Sequence, residues 1–520
     1  MLFLFSFQHF VSIYTMNIIA IDIGTTNCKA VIINKHVKAL RSFQSATKPL
    51  QPKPGWNEQN ADEIFSAVLK LLKQSIGFCK AENIACIAFS AAMHSFLAVD
   101  KAGKPLMNML TWADLRSAEY AHELKQKPIA KKLYETTGVP IHAMSPLCKL
   151  LWLKHEAKNV FNKAYKFISI KEYIFFKLFG KYIIDHSIAA ATGLFDEKNL
   201  CWYDEALKIA GITMQHLSAL LPAEHYETEL LPSIKKTLKL TSPVPFVLGA
   251  SDGAMANLGS GIINAVNAAI TIGTSGAVRI TSNKYLIDKK QRLFCYYISD
   301  GFYITGGAVN NGGIVLQWLV EKVFQEDFKD EKKLNRLLNA AFKIKPGAEG
   351  LIFLPYILGE RAPVWDENAK GCFIGLTAMH TNLHFAKAVL EGICYSVVEV
   401  MQALEETSGP VKNIYLSGGI IKSEKWVQLL ADISGKKIMV NEAADASALG
   451  AAFIGMKAIG SVKKINQAKI FLKNVKTTVP NAARHRAYKN YLKIYNSLYK
   501  KLKDSFGELT GISSNVDCER

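Results

Sequence analysis

Residues 17–34 read NIIAIDIGTTNCKAVIIN, and residues 268–281 read AAITIGTSGAVRIT. Each is an apolar run, a Gly-Thr turn and a second apolar run. Runs that are apolar on both faces mark strands covered on both sides of their sheet. Each stretch therefore predicts a strand–turn–strand unit buried in an α/β domain. The turns are rich in glycine and hydroxyls rather than built on Asn-Gly. Glycine lets the backbone approach a ligand closely, and exposed N–H groups beside hydroxyls suit a small anion such as phosphate. The two copies stand roughly 250 residues apart, whereas a solenoid repeats every ~20–50 residues. The spacing predicts two related domains.

The stretches around them alternate helix and strand. Apolar spacing predicts helices over 61–75, 147–156, 172–178, 206–210, 254–260, 313–324, 384–404 and 425–433. Strands are predicted over 84–90, 244–249 and 413–417. This alternation is that of α/β domains. The boundary is expected near 261–268, giving one domain over 16–262 and a second over 263–496. Residues 497–520 read as the end of a terminal helix and a polar tail. Residues 1–15, MLFLFSFQHFVSIYT, read as a disordered extension or a mis-called start. They carry no basic n-region or cleavage site and are too short to span a bilayer.

With 520 residues, 49% of them hydrophobic and 21% charged, the chain is not a disordered tail or a small disulfide scaffold. The net charge of +19 is spread along the chain, so a nucleic-acid surface is not expected. Nine cysteines without CxxC spacing exclude a zinc ribbon and point to reduced thiols in the cytoplasm. No membrane segment is expected.

The chemistry-bearing residues gather at strand ends. Asp22 precedes Gly24, Thr25 and Thr26, and Lys29 follows. The turn and Lys29 suit phosphate, and Asp22 suits Mg²⁺ held through water. Asp252, in GASDG, is a candidate general base at a strand end, or alternatively a helix cap. Met93-His94, Trp112, Asp114 and Arg116 form a polar set that suits a polyol or sugar acid, or a structural loop with a surface ion pair. Gly418-Gly419, after a strand, could admit the face of a nucleotide base.

Together these motifs resemble the FGGY carbohydrate kinases, over about 16–496. IDIGTTNCK is similar to the family's first phosphate motif and TIGTSGAVR to its second. Residues 371–392, with GCFIGL and HFAKAVLEG, resemble one family signature, and MSPLCKLLWLKHE at 144–156 another. The resemblance implies an actin-like ATPase fold of two RNase H-like domains with a cleft between them. It implies ATP and Mg²⁺ as cofactors, with Asp252 as catalytic base and Asp22 near the metal. It implies Gly24, Thr25, Thr26, Lys29, Gly273 and Thr274 on the phosphates, and Gly313, Gln317, Gly419 and Ser423 towards the nucleotide.

TWADLRS and GERAPVWDENAKG, at 359–371, look more like the gluconate-type than the xylulose-type members. The expected activity is therefore phosphorylation of a sugar acid, D-gluconate, at its 6-hydroxyl. Arg116, Arg361 and His94 are the candidate cations for the acid, and Arg361 has Glu360 and Asp366 as alternative partners. The alternatives are a xylulose or other pentulose or polyol kinase, a non-catalytic sugar- or nucleotide-binding regulator, and a chaperone-like ATPase. Homodimers are common in families of this kind, so one is a candidate assembly here.

Overall fold

The first sheet has six strands, in the order 226–227, Phe246–Ser251, Ile84–Ala91, Asn17–Ile23, Asn27–Ile33 and Ala39–Ala46. The second has seven, in the order Phe294–Ser299, Phe302–Val309, Gly276–Ser282, Asn267–Ile272, Asn413–Ser417, Lys437–Asn441 and Val475–Thr478. The structure is a computed structural model and describes residues 17–34, 36–441, 445–471 and 475–518. The expectation for residues 1–15 lies outside the described residues.

The two sheets share one core plan. In each, an antiparallel hairpin carries the Gly-Thr turn, and its first strand pairs in parallel with a strand from later in the chain. A further parallel strand follows outward: Phe246–Ser251 in the first sheet and Lys437–Asn441 in the second. The reason is legible in Ile18, Ile19, Ala20, Ile21 and Ile23, all buried, so the strand is covered on both faces.

The helix Ala61–Cys79 packs against the first hairpin and begins where the Asn60 side chain accepts the Asp62 and Glu63 N–H groups. Expected helices recur with shifted ends, for example Pro146–Glu156 and Asn382–Ser408.

The cores do not divide where the chain does. The helix Ala446–Ala458 belongs to the second half by sequence, yet Ala448, Phe453 and Ile454 are buried in the core of the first sheet. It lies across the helix Asp252–Gly259 at a contact of bare backbones. A Cβ on Gly259 would stand 1.8 Å from the Ala446 carbonyl oxygen, and one on Gly450 2.0 Å from that of Met255. The terminal helix is also longer than expected. It runs over Ala482–Cys518, so the expected polar tail is helical, and Tyr488, Leu492, Tyr495, Leu498 and Phe506 bury it against the second core.

Among the described residues the cysteines from Cys28 to Cys394 are free thiols, and no helix is long and apolar enough to cross a membrane. Gly450→Ala forces the two crossing helices apart, and overpacking of this kind costs about 1–3 kcal/mol. Thermal denaturation is expected to show a lowered Tm; an unchanged Tm would mean that this contact does not hold the two halves together.

Candidate active site

The two Gly-Thr turns lie at the ends of the paired hairpins. In the first, the Gly24 N–H donates to the Asn27 carbonyl at 3.1 Å, and a Cβ on Gly24 would be 2.8 Å from that oxygen. The Thr25 carbonyl accepts from Gln59 Nε2 at 2.7 Å and from Thr47 Oγ1 at 2.6 Å. Thr26 stays exposed. In the second, the Gly312 and Ile314 N–H groups donate to the Thr274 carbonyl at 3.2 Å, and the Gly313 N–H to the Gly273 carbonyl at 2.7 Å. Cβ atoms on Gly312 or Gly313 would meet this turn at 2.6 and 2.9 Å. Gly313 therefore braces the second turn, leaving Thr274 exposed to solvent.

Asp22 and Asp252 flank the strand Ile84–Ala91. Asp22 and Ala250 both pair with Ser90, and Ser251 pairs with Ala91. Gly249, with φ +64°, sits at an irregularity in this pairing, and a Cβ there would strike the Phe89 carbonyl oxygen at 1.7 Å. Only glycine tolerates that approach, and the strand then delivers Asp252 to the cleft. Asp252 does not act as a side-chain cap on an N2 or N3 amide. Its Oδ1 accepts the Gly253 N–H at 2.6 Å. Burial and then the Asp22 charge push its pKa up to about 6.

Asp22 is pushed up as well, chiefly by burial. Its Oδ2 accepts from Ser447 Oγ at 2.6 Å, and its Oδ1 is enclosed without a partner. Two half-buried, incompletely partnered carboxylates suit a hard divalent cation. Among the described residues no three His, Cys, Asp or Glu side chains gather into a metal cluster, so such an ion would draw its remaining ligands from water and substrate oxygens.

A cavity of about 180 Å³ opens beside Asp252, walled by Met93, His94, Trp112, Arg279, Arg361 and Trp365 among others. His94 adopts φ +63°, a left-handed conformation that costs energy outside glycine. Lys149 holds it there: its buried ammonium donates to the carbonyls of His94 at 2.6 Å and Thr111 at 2.7 Å. Burial pushes the His94 pKa down to about 3. The expectation that His94 supplies a cation therefore fails. The ring is neutral, and its Nδ1–H donates to the Ala191 carbonyl at 2.8 Å, which leaves Nε2 as an acceptor.

Trp112 Nε1 donates to Thr25 Oγ1 at 3.1 Å, and the Arg361 guanidinium lies 4.4 Å from the centre of a Trp112 ring. Arg361 Nε donates to Asn310 Oδ1 at 2.7 Å. Glu360 does not form an ion pair with that guanidinium; its carboxylate accepts the backbone N–H groups of Asn310 and Arg361 and the Asn311 amide. Arg361 Nη2 donates to the Val309 carbonyl at 3.4 Å, and among the described residues Arg361 forms no ion pair.

Arg116 and Asp114 are not brought to this pocket. The Arg116 guanidinium binds both Asp114 oxygens at 2.8 Å and Glu58 at 2.6 Å, and lies 3.6 Å from the centre of a Trp56 ring. Asp114 also accepts the Asn57 N–H at 2.7 Å. Both Asp114 oxygens and the Nε and Nη2 of Arg116 are engaged within the loop region around Trp112. The two residues form a structural ion pair, buried rather than on the surface as the alternative had it.

Of the residues expected towards the nucleotide, Gln317 donates to Glu321 on its own helical turn at 3.1 Å. Ser423 caps the helix Glu424–Ser434, its Oγ accepting the Trp426 N–H at 3.3 Å. Gly418, at φ +90°, is the glycine the backbone demands, since a Cβ would meet the Ile272 carbonyl at 2.3 Å; Gly419 is exposed, and a Cβ there would lie 4.0 Å from the same carbonyl oxygen. Lys29 forms an ion pair with Asp445, just before the helix that carries Ser447. Sequence reasoning missed that helix and with it Asp445 and Ser447, and it quoted Arg279 without assigning it a role. Lys149 lay inside a quoted signature, also unassigned.

The comparisons with known proteins agree with this geometry. Residues 17–259 match the N-terminal domain of the FGGY family of carbohydrate kinases, and residues 268–459 match its C-terminal domain. The chain belongs to the FGGY family of carbohydrate kinases. It is an enzyme that transfers a phosphoryl group to an alcohol, and the family draws that group from ATP. The gluconokinase of Bacillus subtilis (strain 168) is 38% identical over 95% of this chain and 98% of its own. A xylulose kinase of Staphylococcus epidermidis is more distant, at 30% over 96% and 99%. Two Lactobacillus acidophilus structures, a gluconate kinase and a ligand-bound xylulose kinase, each superpose with a TM-score of 0.90 at 34% identity. They cover 95% of this chain and 99% and 100% of theirs.

The Arg116 network makes its own forecast. Arg116→Met strands the buried carboxylates of Asp114 and Glu58, and breaking such a set costs about 3–5 kcal/mol. Chemical denaturation is expected to show a loss of that order; a loss only in acceptor KM with full stability would return Arg116 to the substrate.

Proposed function

We propose that this FGGY kinase phosphorylates the terminal hydroxyl of a sugar acid, D-gluconate, to give the 6-phosphate in the cytoplasm. The carrying observation is Arg361: a guanidinium without a carboxylate partner, stacked on Trp112, in the same pocket as Asp252. A pentulose offers such a cation no anion, whereas an acid does. The greater identity to a gluconokinase than to a xylulose kinase supports the same reading.

Asp252 accepts the proton of the 6-hydroxyl as that oxygen attacks the γ-phosphorus of ATP in line. The bond from the γ-phosphorus to the β,γ-bridging oxygen breaks, and ADP leaves. The backbone and hydroxyls of the turns at Gly24, Thr25, Thr26, Gly273 and Thr274 receive the phosphate oxygens. His94 Nε2 accepts a hydrogen bond from an acceptor hydroxyl, which orients the chain of the acid.

Asp22, by its unpartnered Oδ1, would hold Mg²⁺ through water, and the ion would neutralise phosphate charge. Lys29 adds charge near the first turn once it is shared with Asp445. Gly313 and Gln317 carry the helix behind the second turn, and Gly419 offers an open face for the base. Ser423 contributes to the nucleotide side as a helix cap.

The test is ADP release with Mg-ATP against D-gluconate, D-xylulose, L-ribulose and glycerol. Turnover is expected with D-gluconate well above the rest; turnover confined to a pentulose would overturn the substrate assignment. With D-gluconate, kcat/KM is expected to fall as pH drops through about 6, because a base of raised pKa is lost there to protonation. Asp252→Asn is expected to abolish this limb together with most of kcat. A variant turning over at the wild-type rate would remove Asp252 from the chemistry.

A further inference from the structure

The pocket contains a second guanidinium, that of Arg279, which the mechanism above does not use. Arg279 stands on the strand Gly276–Ser282, directly opposite Gly306 on Phe302–Val309. Its side chain runs between two bare backbones. A Cβ on Gly306 would be 3.1 Å from Arg279 Cγ, and a Cβ on Gly253 would be 3.2 Å from Arg279 Nε. Nε is enclosed and has no hydrogen-bond partner. Among the described residues the guanidinium makes no hydrogen bond and no ion pair, although Asp252 is the charge that most opposes the lowering of its pKa by burial. Arg279 is half-buried, and an enclosed Nε–H without a partner is unfavourable until an acceptor arrives to meet it.

We propose that Arg279 grips the carboxylate of the acid acceptor, and that Gly253 is bare because the Arg279 fork lies over it. The inference rests on the sugar-acid reading and names the residue that enforces it. Two anions enter this cleft, the γ-phosphate and the acid. The phosphate turn ends at Gly276, and Arg279 is rooted three residues further on, about 10 Å along the strand. It walls the same cavity as Met93, His94 and Phe294, with Ser275 and Gly276 of the second turn on another part of the wall.

Arg361 makes the pocket cationic, as the sugar-acid reading requires, but it is less able to supply a bidentate grip. It spends Nε on Asn310 and one face on Trp112. Arg279 keeps its fork unspent, which is what bidentate recognition of a carboxylate requires. The seat also explains a detail of the sequence. The residue after the base at Asp252 is glycine, and a side chain there would meet both Met93 Cε, at 3.1 Å, and Arg279 Nε.

The experiment compares D-gluconate with D-glucitol, which carries CH₂OH in place of the carboxylate. Affinities are read on the full chain by calorimetry and by quenching of tryptophan fluorescence, since Trp112 and Trp365 wall the pocket. Arg279→Gln is expected to shrink the acid-over-polyol preference on the order of 100-fold, the scale of paired charge-assisted hydrogen bonds. Arg279→Lys should fall between. Gly253→Ala, which displaces the fork and keeps the charge, should shrink the same ratio and keeps the test alive if the Gln variant does not fold.

An unchanged ratio, or an equal loss on both ligands, would overturn the assignment. A wild-type chain that prefers another aldonate, with that preference lost in Arg279→Gln, would support Arg279 while refuting D-gluconate. A wild-type chain that takes no acid would refute both.

Discussion

Asp22 and Asp252 are held on either side of one central strand, both half-buried, with Oδ1 of Asp22 enclosed without a partner. Burial raises both pKa values; the Asp22 charge adds to the rise of Asp252, and the Asp445 charge to that of Asp22. Such a pair is tolerable where cations and substrate polar groups share the space. The rest of the cleft follows from that constraint. Lys29, Arg279 and Arg361 approach from different strands and loops, and Ser447 reaches Asp22 from the second half of the chain. The unusual backbone positions serve the same end: the bulge at Gly249 aims Asp252, and the left-handed His94 is fixed by the Lys149 ammonium.

The two halves of the protein meet through side chains that cross between them. The helix Ala446–Ala458 is packed into the first core by bare glycine contacts, so Ser447 and Asp445 move with the first sheet. Arg361 stacks on Trp112, which in turn holds Thr25 of the first turn. Arg361 and the first turn are therefore linked through one tryptophan. A substrate that repositions Arg361 would be felt at Thr25, which suits a two-substrate reaction from which water must be excluded.

Much of this was legible in the sequence. The paired hairpins and Asp252 at a strand end were readable because apolar runs, glycines and a lone carboxylate are local signals. The helix Ala446–Ala458 was not readable, since it is apolar all round and has no amphipathic period. Arg116 and Arg361 looked equivalent as sequence. Their fates were decided by distant partners: Glu58 and Trp56 consume Arg116, while Asn310 and Trp112 leave Arg361 charged and open to the pocket. His94 was placed correctly in the pocket, but its charge depended on burial that no spacing reveals. Arg279 lay in plain view inside the second turn motif, and only the glycines across from it show where its side chain goes.

The central claim is that an acid enters the Asp252 pocket with its far hydroxyl towards that carboxylate. A crystal structure with Mg²⁺, D-gluconate and a non-hydrolysable ATP analogue tests it most directly. The account predicts the 6-hydroxyl within hydrogen-bond distance of Asp252, in line with the γ-phosphorus, and the acid's carboxylate on the pocket guanidinium groups. A carboxylate turned to solvent, or a 6-hydroxyl held away from Asp252, would contradict it.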